Sequence, residues 1–372
     1  MTIAMEKADI AREKLEAAWA AADCGEDDGG LPRVGVFGLG VPEGAIAASG
    51  AVCVHVNFGP VPDDEPMRAV IEPFVDHEVR VFLNRFALGD FNGMTAIVFA
   101  RDDAAAVTAY QYATEWVRQG RAPQGVPRLF LFNLVHAATA VARRFNDIQC
   151  DKLQDFLVDL GLARPDPARM TVAAANARRR AQSLIKASTA VTAGMAARWR
   201  NAGRFLPTTL HADLLEQAIS AAEMPQPSGP RLALVGSPID APEVYAMLDS
   251  RGALVADLQA YGHFWPGPWD EESDIGAVAA ILADDPSCPR IVPPQRHRQS
   301  LVDRIVSARC NVVVCQLAQT DDTFGWEIPG LAAALAALGI TFVNLGFRDH
   351  RPDEQWLAEA QQKLCAALEV AS

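Results

Sequence analysis

Apolar residues along this chain fall into short solid blocks rather than long amphipathic tracts. Eight blocks stand out: RVGVFGL (33–39), AVCVHVNF (51–58), AIVFAR (96–101), RLFLFNL (128–134), RLALVGSP (231–238), ALVADL (253–258), NVVVCQLA (311–318) and TFVNLG (341–346). Each is short, rich in β-branched or aromatic residues and apolar at nearly every position. That is the pattern of strands buried on both faces of a parallel sheet. Between them lie segments such as DAAAVTAYQYATEWVRQG and PGLAAALAALG, which read as helices. Strand–helix alternation predicts parallel sheets joined by helical crossovers.

The strands form two groups of four, separated by a long, mostly helical stretch. AEMPQPSGP (222–230) is the most linker-like segment, rich in Pro, Ser and Gly. The expected organisation is α/β, with an N-terminal domain over 1–225 that keeps the central helices and a C-terminal domain over 226–372.

In such folds ligands sit beyond the carboxyl ends of the strands, so the strand-to-helix turns are where chemistry belongs. Four turns matter: FGLGVPEGAI (37–46), FARDDAAAV (99–107), VGSPIDAPEV (235–244) and QLAQTDDTFGWEIPGL (316–331). Pro42 suits a first helical turn and Glu43 complements the positive helix end. Asp102 or Asp103, and Asp321 or Asp322, suit helix caps, and Asp240 with Glu243 has capping-box spacing. Gly236 and Ser237 offer backbone N–H groups to a phosphate or carbonyl, although the turn lacks GxGxxG.

Composition narrows the class. With 372 residues and a formal net charge of -13, the chain has room for two cores and repels a nucleic acid. No apolar run reaches membrane-span length, and the N-terminus reads as a charged amphipathic helix. The seven scattered cysteines suggest reduced thiols in a cytoplasm. Cys310 and Cys315 lie on one apolar strand with alternation turning them to opposite faces, so they do not read as a metal pair. His211, His263, His297 and His350 show no ligand spacing. The runs RHRQ (296–299) and RRR (178–180) read first as solvated faces, with phosphate binding as the alternative.

In this order the turns resemble one family, the D-component proteins of 2-hydroxyacyl-CoA dehydratases, which includes the related subunits of ATP-dependent benzoyl-CoA reductases. GVFGLGVPEGAIAASG is similar to its early block, with Pro42, Glu43, Ile46 and Gly50 matching and Gly44 in place of a second acid. FLNRFALGDFNGMTAIVFARDD resembles the next block, NARRR (176–180) its Asn-x-x-Arg helix and CPRIVPPQRHR its Cys-Pro loop. CQLAQTDDTFGWEIPGL resembles the late block.

The resemblance implies two flavodoxin-like (Rossmann-like) domains with an interdomain cleft. It also implies a [4Fe-4S] cluster, a second cluster-bearing paralogous subunit, a separate ATP-hydrolysing activator and an acyl-CoA substrate. The family's three cysteine ligands fall at positions that here hold Gly38, Asp102 and Asp321. Three lost thiolates leave no ligand set, so the expectation is no cofactor in this chain, with a cluster in its partner. Three outcomes follow: a cluster-free subunit of a dehydratase-like or reductase-like enzyme, a binding or scaffold homologue, or a divergent enzyme. The last would hold Mg²⁺ or Mn²⁺ on Asp102 and Asp321 near Glu43. Glu43 is the catalytic candidate. For an acyl-CoA, Gly236, Ser237 and the loop YGHFWPGP (261–268, beginning Tyr261–Gly262) are the expected wall, and Arg296 and Arg298 the expected phosphate contacts.

Overall fold

The computed structural model of the chain describes residues 2–22, 29–101, 104–220, 229–262 and 274–371. Two four-stranded, all-parallel sheets organise it. The first comprises β1 (Arg33–Phe37), β2 (Val52–His55), β3 (Ala96–Ala100) and β4 (Arg128–Phe132), in the order β2-β1-β3-β4. The second repeats that order with β5 (Arg231–Gly236), β6 (Ala253–Asp257), β7 (Val312–Ala318) and β8 (Thr341–Arg348), arranged β6-β5-β7-β8. Helix α1 (Thr2–Ala21) packs on the central helices, and α2 (Glu43–Ala48), α3 (His77–Leu88) and α4 (Ala104–Arg118) accompany the first sheet. A central series follows: α5 (Ala140–Asp159), α6 (Pro167–Ala190), α7 (Ala193–Ala202) and α8 (Thr208–Ile219). Beside the second sheet lie α9 (Pro242–Asp249), α11 (Gln295–Ser307), α12 (Asp322–Ala336) and α13 (Glu354–Ala371), while α10 (Ile275–Asp284) crosses to α5.

Each of the eight apolar blocks forms a strand, and the reason is visible in the packing. Alternate residues of each central strand enter different cores. Val34 and Val36 pack with α2, α5 and α6, whereas Phe37, Ile97 and Phe99 pack with α3 and α4. Leu232, Leu234, Val312 and Val314 meet α9 and α13, while Ala233, Val235 and Val313 meet α11 and α12. A strand with helices on both sides has no polar face to present, hence the solid apolar blocks.

The two halves interlock. Ile275, Val278, Ala279 and Leu282 of α10, which follows β6 in sequence, complete the core under α5 and α6 beside the first sheet. In return Ala197 of α7 joins the core of the second sheet, and the Asp249 carboxylate accepts the Ala193 and Gly194 N–H groups, both at 2.9 Å, at the start of α7. Residues 222–228 of the linker-like segment lie outside the described residues.

Three local expectations change. Cys310 precedes β7 rather than lying on it, because Arg309 turns the chain at a φ of 51° after α11, so Cys310 and Cys315 enter the same core. Asp240 and Glu243 form no capping box: α9 begins with Ala241 as N-cap and Pro242 in the first turn, with no side-chain cap hydrogen bond. Within RRR, Arg180 is buried at 6 % exposure, while Arg179 stays at the surface, paired with Asp213 and Glu216.

Candidate functional site

In both sheets the strand order reverses between the first and third strands of the set, β1/β3 and β5/β7. A crevice opens beyond the carboxyl ends at such a reversal. Here the two crevices face one another across a single cavity of about 450 Å³. Its walls come from both halves: the turn after β1, the start of α4, the inner face of α6, the turns after β5, β6 and β7, and the segment joining α10 to α11.

The floor is ionic. Pro42 at the head of α2 sets Glu43 in its first turn, and Cys53 and His55, two apart on β2, turn the same face towards it. Glu43 Oε1 lies 3.0 Å from His55 Nε2, its Oε2 lies 3.9 Å from Arg180, and its backbone carbonyl accepts from the Cys53 thiol at 3.5 Å. Arg204 completes the group, stacked 4.7 Å from the Tyr261 ring centre and 5.2 Å from that of Phe58.

Burial raises the Glu43 carboxyl, but His55, Arg180 and Arg204 together outweigh it and bring the pKa down to about 2. The His55 charge counts only when the ring is protonated, and burial pushes that ring below its ordinary value, with Arg204 and Arg180 adding to the effect. At neutral pH the arrangement is therefore a Glu43 anion facing two arginines and accepting an N–H from neutral His55. Burial, reinforced by Arg200, lowers Arg204 to about 9, and burial also lowers Arg180 despite the Glu43 charge. Burial and the neighbouring Glu43 charge raise Cys53, which stays a thiol.

On the opposite wall, Gly236 has a φ of +110°, and a Cβ there would lie 1.9 Å from the Gln316 carbonyl oxygen, so β5 and β7 approach as only glycine allows. Ser237 lines the cavity but offers nothing to a ligand. Its N–H donates to the Gln316 carbonyl at 3.1 Å, its hydroxyl donates to Asp321 Oδ2 at 2.7 Å, and its oxygen accepts the Ala318 N–H at 2.8 Å. Asp321 also accepts the Phe324 N–H at 3.0 Å as the N-cap of α12. Gln316 in turn accepts from buried Arg348 at 2.6 Å. The turn is thus fastened to itself.

Tyr261 lines the cavity and ties the halves together. Its hydroxyl accepts from Asn57 at 3.1 Å and its carbonyl from Arg204 at 2.9 Å. Gly262 turns away, its carbonyl accepting from Arg200 at 3.0 Å. The rest of that loop, from 263, lies outside the described residues, as do Asp102 and Asp103. Arg296 and Arg298 stand on α11 outside the cavity wall, paired with Asp284 at 2.7 Å and Glu327 at 3.5 Å. The cavity's own cations are Arg180, Arg204, Arg290 and Arg304. Gly38, at a φ of +96°, follows β1, and its neighbours Leu39 and Gly40 reach the cavity. Among the described residues no group of three His, Cys, Asp or Glu side chains is placed to hold a metal ion.

Several residues had no separate signal in the sequence. His55 lies within an apolar block, and Arg180 within a basic run. His136 and Cys288 meet at 3.8 Å although 152 positions apart. Spacing did contain one clue: Asn176 and Arg180, four apart on α6, share the face that lines the cavity.

Among the described residues no helix is long and apolar enough to cross a membrane. A comparison with curated proteins finds no match. The family model of the 2-hydroxyglutaryl-CoA dehydratase D-component matches residues 90–363, which takes in β3 to β8 and most of the cavity wall. With that match over well more than half its length and a doubled parallel-sheet architecture around one cleft, the chain belongs to the 2-hydroxyglutaryl-CoA dehydratase D-component family.

Proposed function

We propose that the chain is a subunit of a 2-hydroxyacyl-CoA dehydratase or benzoyl-CoA-reductase-like complex, in which it shapes an acyl-CoA site without a [4Fe-4S] cluster of its own. The observation that carries this reading is the cleft, where four arginines and an anchored Glu43–His55 pair gather at the converging strand ends. An acyl-CoA is polyanionic with one polarisable carbonyl, so a pocket of cations with apolar walls suits it. The family name supplies the thioester class.

The residues at the resemblance's cluster positions do not fit a cluster. Gly38 has no side chain, and both Asp321 oxygens already accept hydrogen bonds, from Ser237 and Phe324. Thiolate-rich ligation cannot be built from them, whatever Asp102 contributes. The same engagement of Asp321 supports a capping role over a metal-ligand role for that carboxylate. Low-potential electrons would then come from a cluster-bearing paralogous subunit, served by an ATP-hydrolysing activator. In this chain Arg180 and Arg204 bind and orient the anionic ligand. Glu43 holds the His55 ring with its Nε2–H pointing at the carboxylate, which fixes the protonation pattern of the floor.

Anaerobic purification from the native host tests the reading, with iron and sulfide assay, mass spectrometry of co-purifying chains and calorimetric titration with CoA esters. The expected result is a stable complex with a cysteine-bearing α/β subunit over roughly 1,200–2,000 Å², iron confined to that partner, and CoA ester binding. Recovery only as a homo-oligomer with no affinity for CoA esters would instead favour a scaffold role.

A further inference from the structure

The cavity wall formed by the α10–α11 segment contains chemistry that the ionic floor does not use. Cys288 lies there, half-buried, with its Sγ 3.8 Å from Nε2 of His136, an imidazole only 6 % exposed. Both residues line the cavity.

Their juxtaposition is built into the backbone. His136 follows β4, and its carbonyl accepts the Val292 N–H at 3.0 Å, within a parallel bridge between Ala137 and Val292. Cys288 sits in a turn closed by its own N–H on the Asp285 carbonyl and by the Ile291 N–H on the Cys288 carbonyl, both at 3.1 Å. The guanidinium of Arg304 donates to the Ser287 hydroxyl at 3.4 Å beside it, placing a cation next to the thiol's loop. Burial keeps the His136 ring neutral at rest, while the nearby Asp285 charge favours the imidazolium it would become. A thiol, a base within reach and a charge that stabilises the protonated base together form an activated nucleophile. Cys53, in the same cavity, is the internal contrast, since the Glu43 anion beside it opposes thiolate formation.

We propose that Cys288 and His136 form a nucleophilic pair that takes an acyl group from a thioester in the cleft, an inference that rests on the acyl-CoA reading of the cavity. His136 Nε2 removes the Sγ proton, and the thiolate adds to the thioester carbonyl. The carbon–sulfur bond to the coenzyme then breaks, and the departing thiolate takes the proton back from His136. One thioester replaces another, so the products are acyl-Cys288 and the coenzyme thiol, with no oxidant or reductant involved.

The test uses the full chain with butyryl-CoA and, in parallel, S-butyryl-N-acetylcysteamine, a small thioester that lacks the nucleotide. Intact mass, peptide mapping and released-thiol assay follow the reaction. One butyryl group on Cys288 per released thiol is expected, absent in Cys288→Ser and slowed about a hundredfold in His136→Ala. Cys365→Ser, altered on α13 away from the cavity, should react as the wild type does. Should a variant fold poorly by circular dichroism, competitive iodoacetamide labelling of the wild type replaces it, with Cys288 expected to react about tenfold faster than Cys365. Acylation by the small thioester alone upholds the pair while removing the CoA reading. Measurable CoA ester binding with no acylation from either donor overturns the pair and leaves that reading standing, and labelling that persists in Cys288→Ser overturns it as well.

Discussion

Across the β5–β7 crevice, the Ser237 hydroxyl donates to Asp321 Oδ2 at 2.7 Å, while Oδ1 of the same carboxylate caps α12 through the Phe324 N–H. One side chain thus satisfies a helix end and a buried hydroxyl together. Asp321→Ala should cost about 0.5–2 kcal/mol for the cap. It should cost a further ~1–3 kcal/mol for leaving Ser237, 1 % exposed, without its acceptor. Asp321→Asn, which keeps an acceptor in place, should lose much less. Urea unfolding of the three proteins measures both differences. Added Mg²⁺ or Mn²⁺ should leave the wild-type melting temperature unchanged, because only a ligand site in the native state raises it.

Glu43 makes a pH-dependent contribution with a definite sign. Its folded-state pKa, about 2, lies below the ordinary value of 4.5, so its stabilisation is complete above pH 4.5 and disappears as the pH falls towards 2. The size is on the order of 1–3 kcal/mol, since each unit is worth ~1.4 kcal/mol and the share due to His55 is present only while that ring is protonated. Glu43→Gln keeps an acceptor for His55 and loses the charge facing Arg180 and Arg204. Its deficit against wild type in urea unfolding should therefore be full at pH 7, still more than half of that at pH 3.5, and nearly gone by pH 2.

What the sequence disclosed and what it hid divide along physical lines. A strand covered on both faces must be apolar at every position, so RVGVFGL and NVVVCQLA declared themselves, and strand ends located the cleft. Local spacing also offered Asp321 or Asp322 as a cap, because capping is decided within four residues, and the fold makes it Asp321. Arg180 was hidden because burial of a cation depends on what approaches from elsewhere, here Glu43 from α2. Arg296 and Arg298 looked like phosphate contacts for the same reason, until the fold supplied Asp284 and Glu327 as their partners. The His136–Cys288 contact depends on the bridge between the end of β4 and residue 292, a long-range pairing with no local signature.

His211 should make the protein acid-sensitive above the range of the carboxylates. It is fully buried, its Nε2 donates to the Trp199 carbonyl at 2.8 Å, and burial with Arg180 and Arg204 pushes its pKa down to about 3. The unfolded chain takes up this proton near pH 6.5 and the native chain does not until near 3. Stability is therefore lost as the pH falls through that window, by about 1.4 kcal/mol per unit for this one group. Burial pushes His55, His136, His297 and His350 in the same direction, so the total slope should be steeper. In His211→Gln the slope between pH 7 and pH 5 should flatten by one proton's share, measured by urea unfolding at each pH.

Arg290 is the cation best placed to meet an incoming polyanion. It is exposed on the cavity rim, two residues beyond Cys288, and makes no ion pair among the described residues, whereas Arg296 and Arg298 are already engaged outside the wall. An unpaired guanidinium gives up only its hydration when a phosphate arrives, while a paired one must also break an existing contact. A charge-assisted hydrogen bond contributes about 1.5–3 kcal/mol, so Arg290→Ala should weaken CoA ester binding about tenfold or more. Arg296→Ala and Arg298→Ala should change it less than about twofold. Because the contact lies at the solvent edge, the Arg290 effect should shrink as ionic strength rises and the Debye length contracts. Calorimetric titration of the three variants at low and high salt gives the comparison. Equal losses at all three positions would place the phosphates along α11 instead, and a loss confined to Arg290 fixes the end of the cleft through which the coenzyme enters.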